Sequence, residues 1–262
     1  MNSPDLELLI AAAREAGALA LKRRNSSLEI ERKADGSPVT SADLEVDALL
    51  RHGLIGARPE YGWLSEETAD NPDRLNAELV FVVDPIDGTR AYIRGKPWFA
   101  VSLAVVKNGR PVAGVVFAPA LDELYAADAG GASTLNGKVI RASRTARLEG
   151  AAMLGEERAF SHPAWPEPWP SMRIEQRNAL AYRMVLVAAG TFDAAVTLSP
   201  KHEWDIAAGT LIAQEAGAVA CDHKGEAFVF NNPAALCPSL VCAAPLLAPL
   251  ILERTRPIDL PT

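Results

Sequence analysis

Two carboxylates at the end of an apolar run are the residues best suited to chemistry in this sequence. Asp84 and Asp87 follow Leu79–Val83, with Pro85 between them and Gly88-Thr89 behind them. Carboxylates held this close repel one another unless a cation neutralises them. Mg²⁺ suits such a pair because it takes one or two carboxylates and also accepts phosphate oxygens. The same residue types are typical of an ordinary turn, so the pair alone leaves both interpretations open.

Further acidic residues stand where helices or strands are predicted to begin or end: Asp43, Glu66, Glu67 and Asp205. Each has an ordinary structural explanation, since a first-turn acid stabilises the helix dipole and adjacent acids are usually solvated. Composition alone does not show that they converge. No Ser/His/Asp or Cys/His arrangement is evident, and the four histidines lack motif spacing. Carboxylate and metal chemistry is therefore the main candidate.

Buried strands and amphipathic helices are predicted to position these residues. The apolar run before Asp84 predicts a strand buried on both faces, which Pro85 should end because it has no N–H. Thr40 or Ser41 should cap the helix that carries Asp43. The other predicted elements are helices over 4–24, 178–189 (capped by Asn178), 204–216 and from Pro245, strands over 28–32, 61–67, 99–106, 111–119, 123–127, 151–154, 192–198 and 239–243, and a hairpin joining 219–222 to 227–230.

The order of these elements predicts an α/β protein of two units. The N-terminal half should combine helices with a mainly antiparallel sheet, because Asn108-Gly109 and Asn136-Gly137 are strong hairpin signals. After Gly150 strands alternate with helices, which indicates an α/β arrangement. We therefore expect one unit over residues 1–150 and a second over residues 151–262, sharing one interface.

The bulk composition is that of a globular protein with a real core. The chain has 262 residues, 49% of them hydrophobic and 23% charged, and a formal net charge of −7. The negative charge argues against a surface that binds a nucleic acid polymer. Three cysteines without ligand spacing favour a reducing compartment, and no signal peptide or membrane-spanning run is evident. We expect a cytoplasmic protein.

Four motifs, in the right order, resemble those of the inositol monophosphatase-like Mg²⁺ phosphatases. The signature DPIDGT is present as Asp84–Thr89, preceded by Leu64-Ser65-Glu66-Glu67 and followed by Trp204-Asp205-Ile206-Ala207-Ala208. The stretch Lys33–Asp43 resembles the first motif of the family. The resemblance implies a layered αβαβα sandwich and a phosphomonoesterase that uses Mg²⁺ to activate water, without a phosphoenzyme.

The resemblance also implies a role for each matching residue. The metal ligands would be Glu66, Asp84 and the Ile86 carbonyl for a first Mg²⁺, and Asp84, Asp87 and Asp205 for a second. A third, weaker ion would depend on Glu66 and water. Asp43, paired with the Thr89 hydroxyl, would orient and deprotonate the attacking water. The implied substrate contacts are Asp87, Gly88, Thr89, Arg183 and Asp205, with phosphate oxygens on the N–H groups of Gly88 and Thr89.

The substrate depends on residues outside these motifs. Inositol-specific members carry an acid where this chain has Leu198, and a Gly-Thr pair where it has Asn178-Ala179. The first two motifs are closer to bacterial 3′(2′),5′-bisphosphate nucleotidases, which carry a basic residue on the helix of Arg183. The leading interpretation is hydrolysis of adenosine 3′,5′-bisphosphate to AMP and phosphate. Inositol-1-monophosphatase and histidinol-phosphate phosphatase are the alternatives.

An interpretation of a different class is a non-catalytic, metal-binding regulator. Its mark would be the loss of a metal ligand or of the Asp43–Thr89 pair, and nothing is missing here. The resemblance further implies inhibition by Li⁺ and a homodimer, with a small phosphorylated metabolite as the partner of the site. The loop His162–Pro170, rich in Pro and Trp, is assigned no role.

Overall fold

Two large β-sheets alternate with layers of helices in the computed structural model of this chain, which describes residues 2–25, 28–34, 36–161, 165 and 167–260. The helices are α1 (Pro4–Arg24), α2 (Ser41–Ala57), α3 (Thr89–Ile93), α4 (Glu157–Phe160), α5 (Leu180–Ala188), α6 (Glu203–Glu215) and α7 (Ala248–Thr255), with a 3-10 turn over Pro72–Asn76. The strands are β1 (Ile30–Arg32), β2 (Pro38–Thr40), β3 (Gly62–Ser65), β4 (Leu79–Asp87), β5 (Ala100–Lys107), β6 (Arg110–Ala118), β7 (Glu123–Asp128), β8 (Thr134–Leu135), β9 (Lys138–Val139), β10 (Ala152–Leu154), β11 (Arg173–Glu175), β12 (Ala194–Thr197), β13 (Lys201–His202), β14 (Val219–Cys221), β15 (Leu236–Cys237) and β16 (Leu240–Ala243).

The first sheet holds seven strands in the order β3-β4-β5-β6-β7-β8-β9. Its β3–β4 pair is parallel and its other pairs are antiparallel, as predicted for the N-terminal half. Helices α1 and α2 cover one face, and α5 and α6 cover the other. Strand β4 is consequently buried on both faces, which explains its uninterrupted apolar run.

The second sheet has the order β11-β10-β12-β16-β14. Strand β10 runs parallel to both of its neighbours, and β16 runs antiparallel to both of its own. Helices α5 and α6 lie between the two sheets, and α7 covers the outer face of the second. The layers therefore run helix, sheet, helix, sheet, helix, which confirms the predicted α/β fold class and the αβαβα sandwich.

The end of β4 differs from the prediction, because Pro85 does not terminate the strand. Asp84 pairs with Ser102 and Asp87 pairs with Ala100, so β4 carries one extra residue between these two pairs. Such a bulge leaves a residue out of the ladder, and a proline without an N–H is tolerated there. The bulge brings both aspartates to the same edge of the sheet.

Two predictions for the C-terminal half are wrong. Strand β14 pairs with β16, and the segment 227–230 forms no strand. Phe230 is instead buried in the core between the sheets, and its N–H donates to the Gly109 carbonyl at the tip of a first-sheet hairpin, at 2.9 Å. The last helix begins at Ala248 and not at Pro245, because Pro249 occupies its first turn, where a missing N–H costs nothing.

Candidate active site

A cavity of about 570 Å³ opens where the ends of β4 and β12 meet the first turns of α5 and α6. Most of the predicted site residues line it: Glu66, Asp84, Asp87, Gly88, Thr89, Arg183 and Asp205. Two of the predicted residues, Asp43 and Ile86, lie behind this wall and contact Thr89. The fold therefore brings residues from positions 43 to 205 to one place.

Three carboxylates converge at the floor of this cavity. Asp84 and Asp87 come from the bulged end of β4, and Asp205 comes from the first turn of α6. One carboxylate oxygen from each of the three lies within 4.8 Å of the other two. Asp84 Oδ1 is buried and has no hydrogen-bond partner, which is costly for a polar atom unless something else satisfies it. An all-oxygen donor set with an orphaned buried carboxylate oxygen fits Mg²⁺.

The electrostatics of the three carboxylates support the same conclusion. Burial, followed by repulsion from Glu66, raises the pKa of Asp84 well above its usual range. Burial and the neighbouring Asp205 raise the pKa of Asp87. Burial, followed by Glu66, raises the pKa of Asp205 to about 7. Each shift means that the charged form is disfavoured in place, so a bound cation would stabilise the folded protein.

Asp87 also serves as the cap of helix α5. Its Oδ1 accepts the Leu180 N–H at 2.8 Å and its Oδ2 accepts the Tyr182 N–H at 3.3 Å. The predicted cap, Asn178, is exposed, and the residue at the cap position is Ala179, whose side chain accepts nothing. A carboxylate supplied from β4 thus replaces a local cap, and its charge suits the positive end of the helix dipole.

Gly88 allows β4 and α5 to approach this closely. Its φ is +89°, a conformation that favours glycine, and a Cβ on it would lie 2.9 Å from Ala179 Cβ and 3.1 Å from Ala179 N. A larger residue at this position would push the first turn of α5 away from Asp87. The glycine of the DPIDGT signature therefore has a packing role as well as a conformational one.

Asp43 and Thr89, which the family resemblance pairs, are in contact. Thr89 Oγ1 lies 3.2 Å from Asp43 Oδ1 and 3.3 Å from the Ile86 carbonyl oxygen. Asp43 Oδ2 accepts the Thr40 N–H at 2.8 Å and the Thr40 hydroxyl at 2.5 Å, which completes a capping box at the start of α2. Burial raises the pKa of Asp43, although the Thr40 hydrogen bonds oppose this. The carboxylate is fixed in place from two sides.

Glu66 lines the cavity, but its carboxylate does not belong to the three-aspartate cluster. It forms an ion pair with Lys33, whose Nζ lies 2.8 Å from Glu66 Oε1 and 2.8 Å from Glu67 Oε1. Burial disfavours the charged form of Lys33, but the two glutamates outweigh this and raise its pKa. Burial raises the pKa of Glu67 to about 7. The two glutamates are therefore not merely solvated loop residues.

Basic and apolar side chains line the cavity together with the carboxylates. Arg183, on α5, is partly buried, and its Nε donates to the Arg177 carbonyl at 2.5 Å. Burial lowers the pKa of Arg183, whereas nearby Asp87 opposes this shift. The cavity is also lined by Lys201, Leu198 and the half-buried ring of Trp165. A substrate in the cavity would thus contact cations and an aromatic ring as well as the carboxylates.

Comparison with known proteins identifies the family. A model described as the inositol monophosphatase family matches residues 1–258. The chain belongs to this family. Its members are Mg²⁺-dependent phosphatases, in agreement with the carboxylate cluster and its orphaned oxygen. Within the described residues, no helix has the length and apolar character needed to cross a bilayer.

Relatives in the inositol monophosphatase family carry several names. A histidinol-phosphatase from Chlorobaculum parvum is 33% identical over 240 residues, which is 88% of this chain and 90% of that protein. A Nus factor SuhB from Xylella fastidiosa is 32% identical over 235 residues, covering 86% of this chain and 84% of that protein. The structure of an IMPase from Thermotoga maritima superimposes with a TM-score of 0.84 at 27% identity, covering 97% and 98% of the two chains.

Sequence reasoning missed several residues of this family site. Lys33 and Glu67 lie in the matched motifs, but the sequence assigned neither of them a role. Lys201 lies outside the motifs and was not singled out. A lysine ten positions before Asp43, inside a motif with catalytic neighbours, was the available signal for Lys33. The loop 162–170 is described only in part, since residues 162–164 and 166 lie outside the described residues, as does Asp35 of the first motif.

Proposed function

We propose that the cavity hydrolyses a small phosphate monoester, with water as the nucleophile. The observation that carries this proposal is the convergence of Asp84, Asp87 and Asp205, with one orphaned oxygen, beside the Asp43–Thr89 pair. Carboxylates alone would repel a phosphate. The site therefore needs cations to receive its substrate, and the donor set suits Mg²⁺.

The residues that would hold Mg²⁺ are Glu66, Asp84 and the Ile86 carbonyl for one ion and Asp84, Asp87 and Asp205 for another. A third ion, leaning on Glu66 and water, would be weaker. When bound, Mg²⁺ lowers the pKa of water and neutralises charge on the phosphate oxygens. The carboxylates bind and orient, and their burial excludes bulk water from the reacting side of the phosphate.

Asp43 and Thr89 handle the proton in this proposal. The Thr89 hydroxyl is close enough to Asp43 to pass a proton to it. A water that donates a hydrogen bond to Thr89 Oγ1 would be oriented toward the phosphate. The raised pKa of Asp43 makes its carboxylate a better base than a solvated aspartate. The backbone N–H groups at Gly88 and Thr89 begin α3 without a partner inside the helix, and would donate to phosphate oxygens.

For the substrate, we favour a molecule with a second anionic group, with adenosine 3′,5′-bisphosphate as the leading candidate. Arg183 and Lys201 line the same cavity as the carboxylates and could hold a second phosphate, and Trp165 offers a ring for a base. Leu198 offers no oxygen to a ring hydroxyl, which argues against inositol 1-phosphate. Histidinol phosphate stays an alternative because of the name of the 33% identical relative.

A comparison of kcat/KM for adenosine 3′,5′-bisphosphate, inositol 1-phosphate and histidinol phosphate, with Mg²⁺, tests this choice. Arg183→Met should lower kcat/KM for the bisphosphate at least about 10-fold, because a charge-assisted hydrogen bond contributes about 1.5–3 kcal/mol. The same variant should leave a monophosphate substrate within a few-fold of wild type. Arg183→Lys, which keeps the charge, is the matched control. A higher kcat/KM for either alternative would overturn the nucleotidase assignment.

The alternative of a non-catalytic regulator is tested by phosphate release, and one relative is named a Nus factor. Phosphate release from a generic monoester with Mg²⁺, and none with chelator, is expected; no release in either condition would favour a regulator.

We also propose that residues 1–150 and 151–262 form two units, each organised around one of the two large sheets. The homodimer, the cytoplasmic location and the sensitivity to Li⁺ stay predictions.

A further inference from the structure

A buried ion network adjoins the turn that carries Asp205. Glu203 is fully buried, and the side chain of Arg74 is 1% exposed. Neither residue lines the cavity, and the two come from opposite halves of the chain. Burying such charges costs several kcal/mol unless hydrogen bonds and partners compensate, so the arrangement calls for an explanation.

Glu203 fixes the backbone at the start of α6. Its Oε2 accepts the Asn231 N–H at 2.6 Å and its Oε1 accepts the Asn232 N–H at 2.8 Å. Its own N–H donates to the Ala235 carbonyl at 3.0 Å, and the preceding strand β13 pairs with β15. Three hydrogen bonds therefore join the loop 231–237 to the first residue of α6. Two are accepted by the Glu203 carboxylate, and one is donated by the Glu203 N–H.

Arg74 in turn fixes this loop to the first sheet. Its guanidinium donates to both oxygens of Asp70, at 2.6 and 2.9 Å, to Asn231 Oδ1 at 2.6 Å and to the Asn232 carbonyl at 3.1 Å. Asn231 Nδ2 returns a bond to the Arg74 carbonyl at 3.2 Å. Arg74 thus has partners on both sides of the boundary near Gly150.

We propose that Glu203 and Arg74 are positioning residues for Asp205, and so for the metal site that Asp205 helps to form. This inference rests on the proposed function. Glu203 and Asp205 share one helical turn, and the Asp205 carboxylate accepts the His202 N–H at 3.0 Å, which ties its orientation to the clamped backbone. Small displacements of this turn move the carboxylate relative to Asp84. Replacing the residues that hold metal ligands in place commonly lowers metal affinity 10- to 100-fold.

Direct Mg²⁺ binding, measured by calorimetry without substrate, tests this role in Glu203→Gln and Arg74→Met. Each variant should raise the Kd for Mg²⁺ by about 10- to 100-fold. The double variant should be no weaker than the poorer single variant, because the two residues act as one unit. At saturating Mg²⁺, kcat should stay within a few-fold of wild type. Arg74→Lys, a milder change, serves if either variant does not fold.

Asp193→Asn is the matched control, because it disrupts a hydrogen-bond network away from the first turn of α6. Asp193 accepts bonds from Ser143, Thr145 and Ala152 at 2.6–2.8 Å and precedes β12 at the end away from the cavity. It should lower the melting temperature without changing the Kd for Mg²⁺. An unchanged Kd in the Glu203 and Arg74 variants, with a control-like loss of stability, would overturn the positioning role. A wild type that binds no Mg²⁺ would instead overturn the proposed function, and this inference with it.

Discussion

Replacing Asp84 by Asn should stabilise the metal-free protein while abolishing its activity. Asp84 is buried against two other aspartates, and one of its oxygens has no hydrogen-bond partner. An amide keeps the shape of the side chain, removes its charge and adds a donor that can face the neighbouring carboxylates. A residue that served stability would show the opposite result, so the experiment separates a functional carboxylate from a structural one.

The expected gain follows from the separation of the charges. Two unit charges about 5 Å apart repel by about 3 kcal/mol at an effective dielectric constant of about 20. Protonation limits this cost, because a carboxyl group whose pKa is raised can take up a proton and lose its charge. We expect Asp84→Asn to raise the free energy of unfolding by about 1–3 kcal/mol at pH 8. In a chain of this size each kcal/mol corresponds to about 2–4 °C in melting temperature.

Thermal unfolding in the presence of a chelator, at pH 8 and at pH 5, is the assay. The gain should shrink at pH 5, where the wild-type cluster is largely protonated and its repulsion is already relieved. Asp47→Asn is the control: Asp47 is also buried, but it accepts hydrogen bonds from the hydroxyls of Ser65 and Thr68. Removing that satisfied charge should lower the stability by about 1–3 kcal/mol.

Activity supplies the second half of the test. Asp84 is the ligand that we propose two Mg²⁺ ions share, and its loss should lower kcat by at least about 1,000-fold, since Lewis-acid stabilisation contributes several kcal/mol. A lower melting temperature for Asp84→Asn in chelator at pH 8 would refute the repulsive cluster. Near-wild-type kcat would refute the metal assignment.

Three further predictions concern the same site. Mg²⁺ should bind more tightly as the pH rises from about 6 to 8, with proton release, because the Asp205 carboxyl has a pKa of about 7 and must lose its proton; calorimetry in two buffers of different ionisation enthalpy measures this. Without metal, the raised pKa of this carboxyl contributes stability that is complete below its unfolded pKa near 4 and is lost as the pH rises toward 7, so the melting temperature in chelator should fall over that range. Thr89→Val, which removes the hydroxyl beside Asp43 and keeps the size, should lower kcat about 100-fold or more with unchanged Mg²⁺ affinity; Thr89→Ser should recover most of the rate.

Local patterns accounted for much of the fold. The apolar run of β4, the cap at Thr40 and the hairpin turn at Asn108-Gly109 are all determined within a few residues, and each is present in the structure. The carboxylates could be found because each lies at the end of an element whose pattern is strong. Their convergence could not be derived from those patterns, and it was expected only because the motifs resemble a family.

Contacts between distant residues account for what the sequence did not predict. The cap of α5 comes from Asp87, whose bond to the Leu180 N–H joins residues 93 positions apart. The ion pair of Lys33 with Glu66 and the contacts of Glu203 with the 231–232 loop have the same character. Short-range propensity says nothing about such partners, because a side chain can satisfy a backbone group from anywhere that the fold places it.

The double use of Asp87 bears on how this scaffold would change over evolutionary time. If a lineage no longer needed catalysis, Asp87 would still be under selection as the cap of α5, and Asp205 would still bond the His202 N–H. Among these three aspartates, only Asp84 has a buried oxygen that accepts no hydrogen bond. Substitution should therefore reach Asp84 first, and among descendants of this fold the identity of that residue is a better sign of retained catalysis than either of its neighbours.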